Sequence, residues 1–439
     1  MQSKVINIGI DFGTCYSKVC FEDETKQKNY VKFYTNKSEY KHSEIYYEYS
    51  KKMFYYIKPE NVNIIETVKY FKYSTIEESL PRSIHIPVSQ PITSPEILCC
   101  VFFIACLIEE SIKYIENFYE EKYGSMPLFD YSITMGVPID NYSDKFRPMY
   151  DIILQIAIEL SKSNKLDKNS ISLNDLDNFY QDNKKISPPK FKESSNNILS
   201  ELYAECLAFL EDKNVPEGLF AIIDIGGATV DMAVINKSQV EANNKFKYSI
   251  IAENIQPLGI EILIQKIIKS DDMYNMINEL LKNDNFQSTD IEYNKIEEQE
   301  LSKRMQKAFA EMAINAKDKF RKALIKRKGE MKVILCGGGA KYEWYKKRIK
   351  STQEQIRKTI SLDEAPNGFK LKLEDVGDLG RYYNSIDHRL IISSGLAQDI
   401  QRIPDLDGFP WDYSEIRLKE KNIDEINYNK QIELFGKTN

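Results

Sequence analysis

Histidine is scarce. There are three in 439 residues, His42, His85 and His388, far apart in the chain, so a histidine-rich metal centre is not indicated. The seven cysteines, Cys15, Cys20, Cys99, Cys100, Cys106, Cys206 and Cys336, are odd in number and contain no C-x-x-C pair. Neither a zinc site nor a disulfide framework follows from them. Several lie in apolar runs, where a free thiol acts as a small hydrophobe, and the pattern fits a reducing, cytoplasmic setting. A long hydrophobic run is also missing. The longest, Ile97 to Ile108, falls short of the roughly 20 residues a bilayer takes, so it reads as buried helix and no membrane partner is expected. After Met1, Gln2 and Ser3 the chain enters a strand pattern, without the longer apolar core of a secretory signal. Finally, there is no excess of positive charge. A formal net charge of -6 weighs against broad nucleic-acid binding.

What is present is globular in character: 42% hydrophobic and 29% charged residues. The length suggests roughly two to four domains. Residues 4–10 and 15–21 are strand-like and flank Asp11-Phe12-Gly13-Thr14, a hairpin with a glycine-containing turn. Residues 30–90 mix strand-like and short helical pieces. Residues 96–122 read as one long helix, started by Ser94-Pro95-Glu96. A short strand at Tyr131 to Val137 and an amphipathic helix over 146–161 follow. Residues 162–197, rich in Ser, Asn, Asp and Lys, read as a loop-rich insertion, and 198–211 return to helical spacing. Residues 219–235 are again strand, glycine turn, strand. Residues 260–328 are mainly helical, Lys332 to Cys336 is a strand leading into Gly337-Gly338-Gly339-Ala340, and Asp387 to Ile400 is a helix.

The informative feature is a repeat. Ile10-Asp11-Phe12-Gly13-Thr14 and Ile223-Asp224-Ile225-Gly226-Gly227-Ala228-Thr229 are the same device, an apolar strand ending in Asp, a glycine turn with Thr, and a second apolar strand. Such a repeat suggests two similar halves facing a cleft. The residue types suit a nucleoside triphosphate. Glycine lets backbone N–H groups approach phosphate oxygens, Thr adds a donor, and Asp holds Mg²⁺ through its waters or orients an attacking water. Either hairpin alone is no more than a tight turn. Two copies together with the glycine run at 337–339 are hard to assign to chance. That run is not a dinucleotide fingerprint, because position 342 is Tyr. Gly436-Lys437-Thr438 only mimics the end of a P-loop, since Gln431 stands where its first glycine is required.

These motifs, in order over most of residues 4–402, resemble the actin-like ATPase superfamily, and most nearly the nucleotide-binding domain of heat-shock-70 chaperones. Ile8 to Ser17 is similar to the family's first phosphate motif, Thr134 to Pro138 to its first connecting motif, and Asp224 to Asp231 to the second phosphate motif. Glu201 to Phe209 resembles the interdomain helix segment, Leu258-Gly259 the turn after the second phosphate motif, Gly337 to Ala340 the adenosine motif, and Ser394 to Ala397 the small-residue helix closing the second half. The resemblance implies an α/β, two-lobed actin-like ATPase fold, made of duplicated ribonuclease-H-like domains with a nucleotide cleft between the lobes. The first lobe would span 1–211, with a small subdomain at about 30–90 and an insertion at about 139–197. The second would span 212–403, with a helical subdomain at about 263–330, and 404–439 would be a polar tail.

The implied roles follow position by position. Asp11 and Asp224 would flank Mg²⁺; Gly13, Thr14, Cys15, Gly226, Gly227 and Thr229 would cradle phosphates of ATP or ADP; Gly337, Gly338 and Gly339 would line the adenosine pocket. Asp231 and Glu201 would place the hydrolytic water, and either Lys69 or Lys72 would serve as the catalytic lysine. Lys303, Arg304, Lys307 and Glu311 are candidates for the adenine side. Cys15 and Ala228 depart from the chaperone pattern, and the residues after Ile400 are too few for a peptide-binding domain. The expected function is a slowly hydrolysing, chaperone-like Mg-ATPase that switches conformation on an unidentified protein partner. A self-assembling, filament-forming actin-like ATPase, a nucleotide-binding scaffold with little turnover, and a sugar-kinase-type enzyme are the alternatives.

Overall fold

The alternating pattern at the N-terminus folds as a hairpin of β1 (Lys4–Asp11) and β2 (Tyr16–Glu22). The structure, a computed structural model, describes residues 4–34, 37–60, 62, 65–75, 93–124, 128–137, 147–167, 169–184, 197–211, 215–240, 245–286, 292–322, 329–360, 371–373, 377–378 and 389–398. It is a mixed α/β chain with two units, Met1–Ala208 with Leu390–Arg402, and Phe209–Arg389 with Ile403–Asn439. The expected tail at 404–439 lies outside the described residues.

In the first unit β3 (Lys28–Tyr30) extends the hairpin into a meander and β4 (Lys41–His42) pairs with β2. Strands β5 (Glu44–Glu48), β6 (Met53–Tyr55) and β7 (Glu66–Lys69) build a separate antiparallel sheet, followed by the short helix α1 (Phe71–Ser74). Helix α2 (Pro95–Tyr123) is the long helix the sequence predicts. The Ser94 hydroxyl accepts the N–H of Ile97, Pro95 sits in the first turn, and Gly124 ends the helix at φ 68° with its N–H on the carbonyl of Glu120. Its apolar first half is buried all round and its charged second half on one face only. Strand β8 (Phe129–Val137) lies parallel to β1, and α3 (Arg147–Lys162) packs on α2. Then come β9 (Ser170–Ser172), α4 (Leu173–Lys184), β10 (Asn197–Ser200) and α5 (Glu201–Glu211). The main sheet runs β10-β8-β1-β2-β3, and β9 completes a small sheet of order β7-β5-β6-β9.

Two elements depart from the sequence expectation. Residues 162–197 were expected to be loop-rich, yet β9 and α4 lie inside them; 185–196 fall outside the described residues. The polar composition hid a helical stripe, because Leu173, Leu176, Phe179 and Tyr180 are buried while the residues between them carry the polarity. The helix expected over 198–211 begins as strand, because β10 pairs with β8 before α5 starts.

In the second unit β11 (Gly218–Ile225), β12 (Val230–Val240) and β13 (Lys245–Gln256) form another meander. Helices α6 (Ile260–Ile267), α7 (Tyr274–Asn283) and α8 (Lys295–Lys322) follow, then β14 (Gly329–Cys336), α9 (Glu343–Ile360) and the short strands β15 (Leu371–Leu373) and β16 (Gly377–Asp378). The sheet order is β13-β12-β11-β14-β15, with β14 and β15 parallel to β11. The two main sheets thus share one topology, an antiparallel meander on one side of the first strand and parallel strands on the other. The sequence repeat is a repeat of architecture. Among the described residues no helix is long and apolar enough to cross a membrane.

The last helix among the described residues, α10 (Ile391–Leu396), is shorter than the 387–400 expected from the sequence, whose first and last two residues fall outside the described ones. It belongs to the first unit, packing on β1, β2 and β8, although the sequence reading assigned it to the second half. Glycine makes that packing feasible. A Cβ on Gly9 would lie 2.3 Å from the backbone N of Ala397, and one on Gly395 would lie 1.9 Å from the carbonyl oxygen of Ala204. Backbone cannot yield as a side-chain tip can. Gly395→Ala is therefore expected to destabilise the protein by about 1–3 kcal/mol, read as a lower urea midpoint; an unchanged midpoint would show that α10 does not approach α5 there.

Candidate functional site

Each main sheet carries an aspartate at the end of its first strand, Asp11 as the last residue of β1 and Asp224 as the last but one of β11. In the first unit the side chain of Asp11 is 2% exposed. Directly across the hairpin stands Lys18, whose Nζ lies 2.6 Å from Asp11 Oδ2. Phe12 anchors the turn by packing on Phe71 and Phe103, so its peptide is held rigidly. The Phe12 carbonyl accepts a hydrogen bond from Lys72 Nζ. Lys72 is buried, and its ammonium also lies 2.5 Å from Glu201 Oε1. Burial pushes the Glu201 carboxyl above the usual carboxylate range; Lys72 opposes the shift and Asp11 reinforces it.

The geometry separates the two lysines left open by the sequence. Lys72 joins the turn and Glu201, whereas Lys69 sits on β7 with its side chain 51% exposed, 3.6 Å from Glu44. Lys18 was missed. Its signal was available, because pairing outward from the turn places residue 18 opposite residue 11.

In the second unit Asp224 and Asp231 face each other across β11 and β12, both buried. Opposed like charges on one face of a sheet are unfavourable, and their oxygen donors suit a hard cation such as Mg²⁺. The turn between them is tied down from behind. Gly226 N–H donates to the Thr229 carbonyl at 2.9 Å. The N–H groups of Gly259, Ile260 and Glu261, at the start of α6, donate to the carbonyls of Ala228, Gly226 and Gly227 at 2.9, 3.1 and 2.8 Å. In a trans peptide the carbonyl and the next N–H point opposite ways. The N–H groups of Gly227, Ala228 and Thr229 therefore face away from α6, a concavity suited to an anion. Gly259 permits this approach, since a Cβ there would lie 2.4 Å from the backbone carbon of Ala228. The Ala228 methyl, a departure from the chaperone pattern, is buried and leaves the carbonyl bonding of the turn in place.

The glycine run closes on the same strand end. Gly337 has φ 75°, and a Cβ on it would meet Asp224 Oδ1 at 1.9 Å. Gly339 N–H donates to the Ile225 carbonyl at 2.8 Å. Gly338 has open space where a Cβ would project. The structure thus brings Asp224, Gly226, Gly227, Thr229, Asp231 and Gly337 to Gly339 together in the second unit, and Asp11, Gly13, Thr14, Cys15, Lys72 and Glu201 in the first. Lys303, Arg304 and Lys307 are exposed on α8, where Lys307 pairs with Glu311 at 3.7 Å.

Residues 222–343 match the family model described as archaeal actin homologue MreB-like, C-terminal. This stretch is similar to an actin homologue. It runs from β11 through the glycine run into the start of α9, and so contains the whole turn-and-carboxylate set of the second unit. The match supports the actin-like ATPase superfamily reading of the sequence; the closer resemblance to heat-shock-70 chaperones has no such match. None of the curated proteins matches the chain.

The Lys72–Glu201 pair gives a direct test of the first unit's geometry. Removing one member leaves the other charge buried and unpaired. Lys72→Met, which leaves Glu201 buried without its cation, is expected to cost about 3–5 kcal/mol in denaturant unfolding, with Glu201→Gln added to it recovering part of the loss. Additive losses would show that the two side chains do not pair. The sign of the pH effect also follows. The folded state binds the Glu201 proton more tightly than the unfolded chain, so this group contributes stability at low pH that is lost as pH rises through its raised pKa.

Proposed function

We infer that the chain is a Mg-ATP-binding ATPase of the actin-like type, with nucleotide held between two ribonuclease-H-like halves. The observation that carries this reading is the repeated strand-end device: a buried aspartate beside a turn whose carbonyls are occupied elsewhere. Asp11 and Asp224 would hold the cation, the backbone N–H groups of both turns would bind phosphate oxygens, and Lys18 and Lys72 would supply positive charge beside them. Glu201 and Asp231 orient the attacking water, and Gly337 to Gly339 let the adenosine lie against backbone. Bound Mg²⁺ would neutralise charge on the β- and γ-phosphate oxygens. The seven free cysteines accord with a reducing, cytoplasmic compartment.

The similarity over residues 222–343 is to an actin homologue, so nucleotide-dependent self-assembly is favoured over the chaperone-like switch on a foreign partner. Calorimetric titration with ATP and ADP, with and without Mg²⁺, followed by phosphate release, tests the core of the reading. Mg-dependent binding is expected, and no binding overturns it. Asp11→Ala and Asp231→Ala are each expected to lower turnover by about 10²-fold or more while leaving circular dichroism unchanged. Full activity in both would refute the site assignment. Sedimentation at rising protein concentration with ATP separates assembly from the switch, since only assembly gives large species.

A further inference from the structure

Ser43 lies between β4 and β5, far in sequence from the first phosphate turn, and is 4% exposed. Both of its hydrogen-bond donors act on that turn. Its hydroxyl donates to the Gly13 carbonyl at 2.6 Å, and its backbone N–H donates to the Cys15 carbonyl at 2.9 Å. The hydroxyl has one proton, and Gly13 takes it. In the 2.9 Å contact with the fully buried Ser17, the Ser17 hydroxyl is therefore the donor and Ser43 Oγ the acceptor. The result is a directed chain, Ser17 to Ser43 to the Gly13 carbonyl.

Ser43 is supported on both sides by paired strands. Upstream, Lys41 is buried with its ammonium 4.0 Å from the centre of the Tyr56 ring, and burial holds it below the ordinary lysine pKa. The strand that carries it pairs with β2 through Tyr16 opposite His42 and Ser17 opposite Lys41. Downstream, Glu44 opens β5, the inner strand next to β7 in the small sheet. With the carbonyls of Gly13 and Cys15 turned onto Ser43, the N–H groups of Thr14 and Tyr16 turn the other way. Helix α6 does the same for the second turn with three backbone N–H groups. The first turn achieves it with Ser43 beside the Lys72 contact to the Phe12 carbonyl.

We propose that Ser43 is a positioning residue for phosphate binding, fixing the 13–14 and 15–16 peptide planes so that the N–H groups of Thr14 and Tyr16 meet phosphate oxygens. This rests on the nucleotide reading of the site. Ser43 touches no phosphate itself, so its loss weakens ligands in proportion to the phosphates they carry. The test is titration of the full-length chain with Mg-ATP and with adenosine, for wild type, Ser43→Ala and Ser17→Ala. Ser43→Ala is expected to weaken Mg-ATP about tenfold while adenosine changes by less than about twofold. Ser17→Ala, which breaks the chain one step further back, is expected to weaken Mg-ATP by about threefold. General loosening of the fold would lower the thermal midpoint without moving the ratio of ATP to adenosine affinity. An unmoved ratio in Ser43→Ala overturns the proposal, and if that variant fails to fold, Ser17→Ala decides by the same ratio. A wild-type protein that binds no Mg-ATP overturns the nucleotide reading and this proposal together, an outcome distinct from a wild type that binds while the ratio stays fixed.

Discussion

A carboxylate at the end of a buried strand is costly, and the two main sheets meet that constraint in different ways. The first unit does so with lysines. Asp11 has Lys18 across the hairpin, and Glu201 has Lys72, whose ammonium also takes up the Phe12 carbonyl. The second unit sets Asp224 opposite Asp231 and so concentrates negative charge on one face. One topology therefore carries two electrostatic characters. The first turn pairs its acids with cations that also suit phosphate, whereas the second presents oxygen donors that suit a divalent cation.

The turns also share a mechanical principle. A turn exposes its N–H groups usefully only when its carbonyls are engaged elsewhere. In the second unit the first turn of α6 provides the donors, and Gly259 lets the helix come close enough. In the first unit Lys72 and Ser43 provide them from separate elements. This difference explains why the small sheet and α1 are needed where the second unit needs only a helix start.

Much of this was legible in the sequence. The alternation around Asp11 and Asp224 gave both hairpins, Ser94-Pro95 gave the start of α2, and the glycine run at 337–339 was placed at a strand end before a helix. Harder features depended on contacts distant in sequence. Strand β13 lies at the sheet edge and announces itself only through pairing with β12. Helix α4 was masked by polar composition although its apolar stripe is regular. Lys72 could not be chosen over Lys69 by spacing, because the choice depends on burial against Phe12 and Glu201. Ser43 carried no local signal at all, since its partners lie in another segment of the chain.

Helix α10 places the completion of the first unit late in the life of the chain. Synthesis runs from the N-terminus, and domains tend to fold as they emerge. Strands β1, β2 and β8 leave the ribosome first, yet the helix that packs on all three comes only after residues 209–389 of the second unit have been made. Until then the backbone at Gly9, bare of side chain and shaped to receive α10, has nothing from residues 390–398 to cover it. The nascent first unit therefore waits on the second, and its aggregation risk during synthesis is set by the time needed to translate the intervening segment.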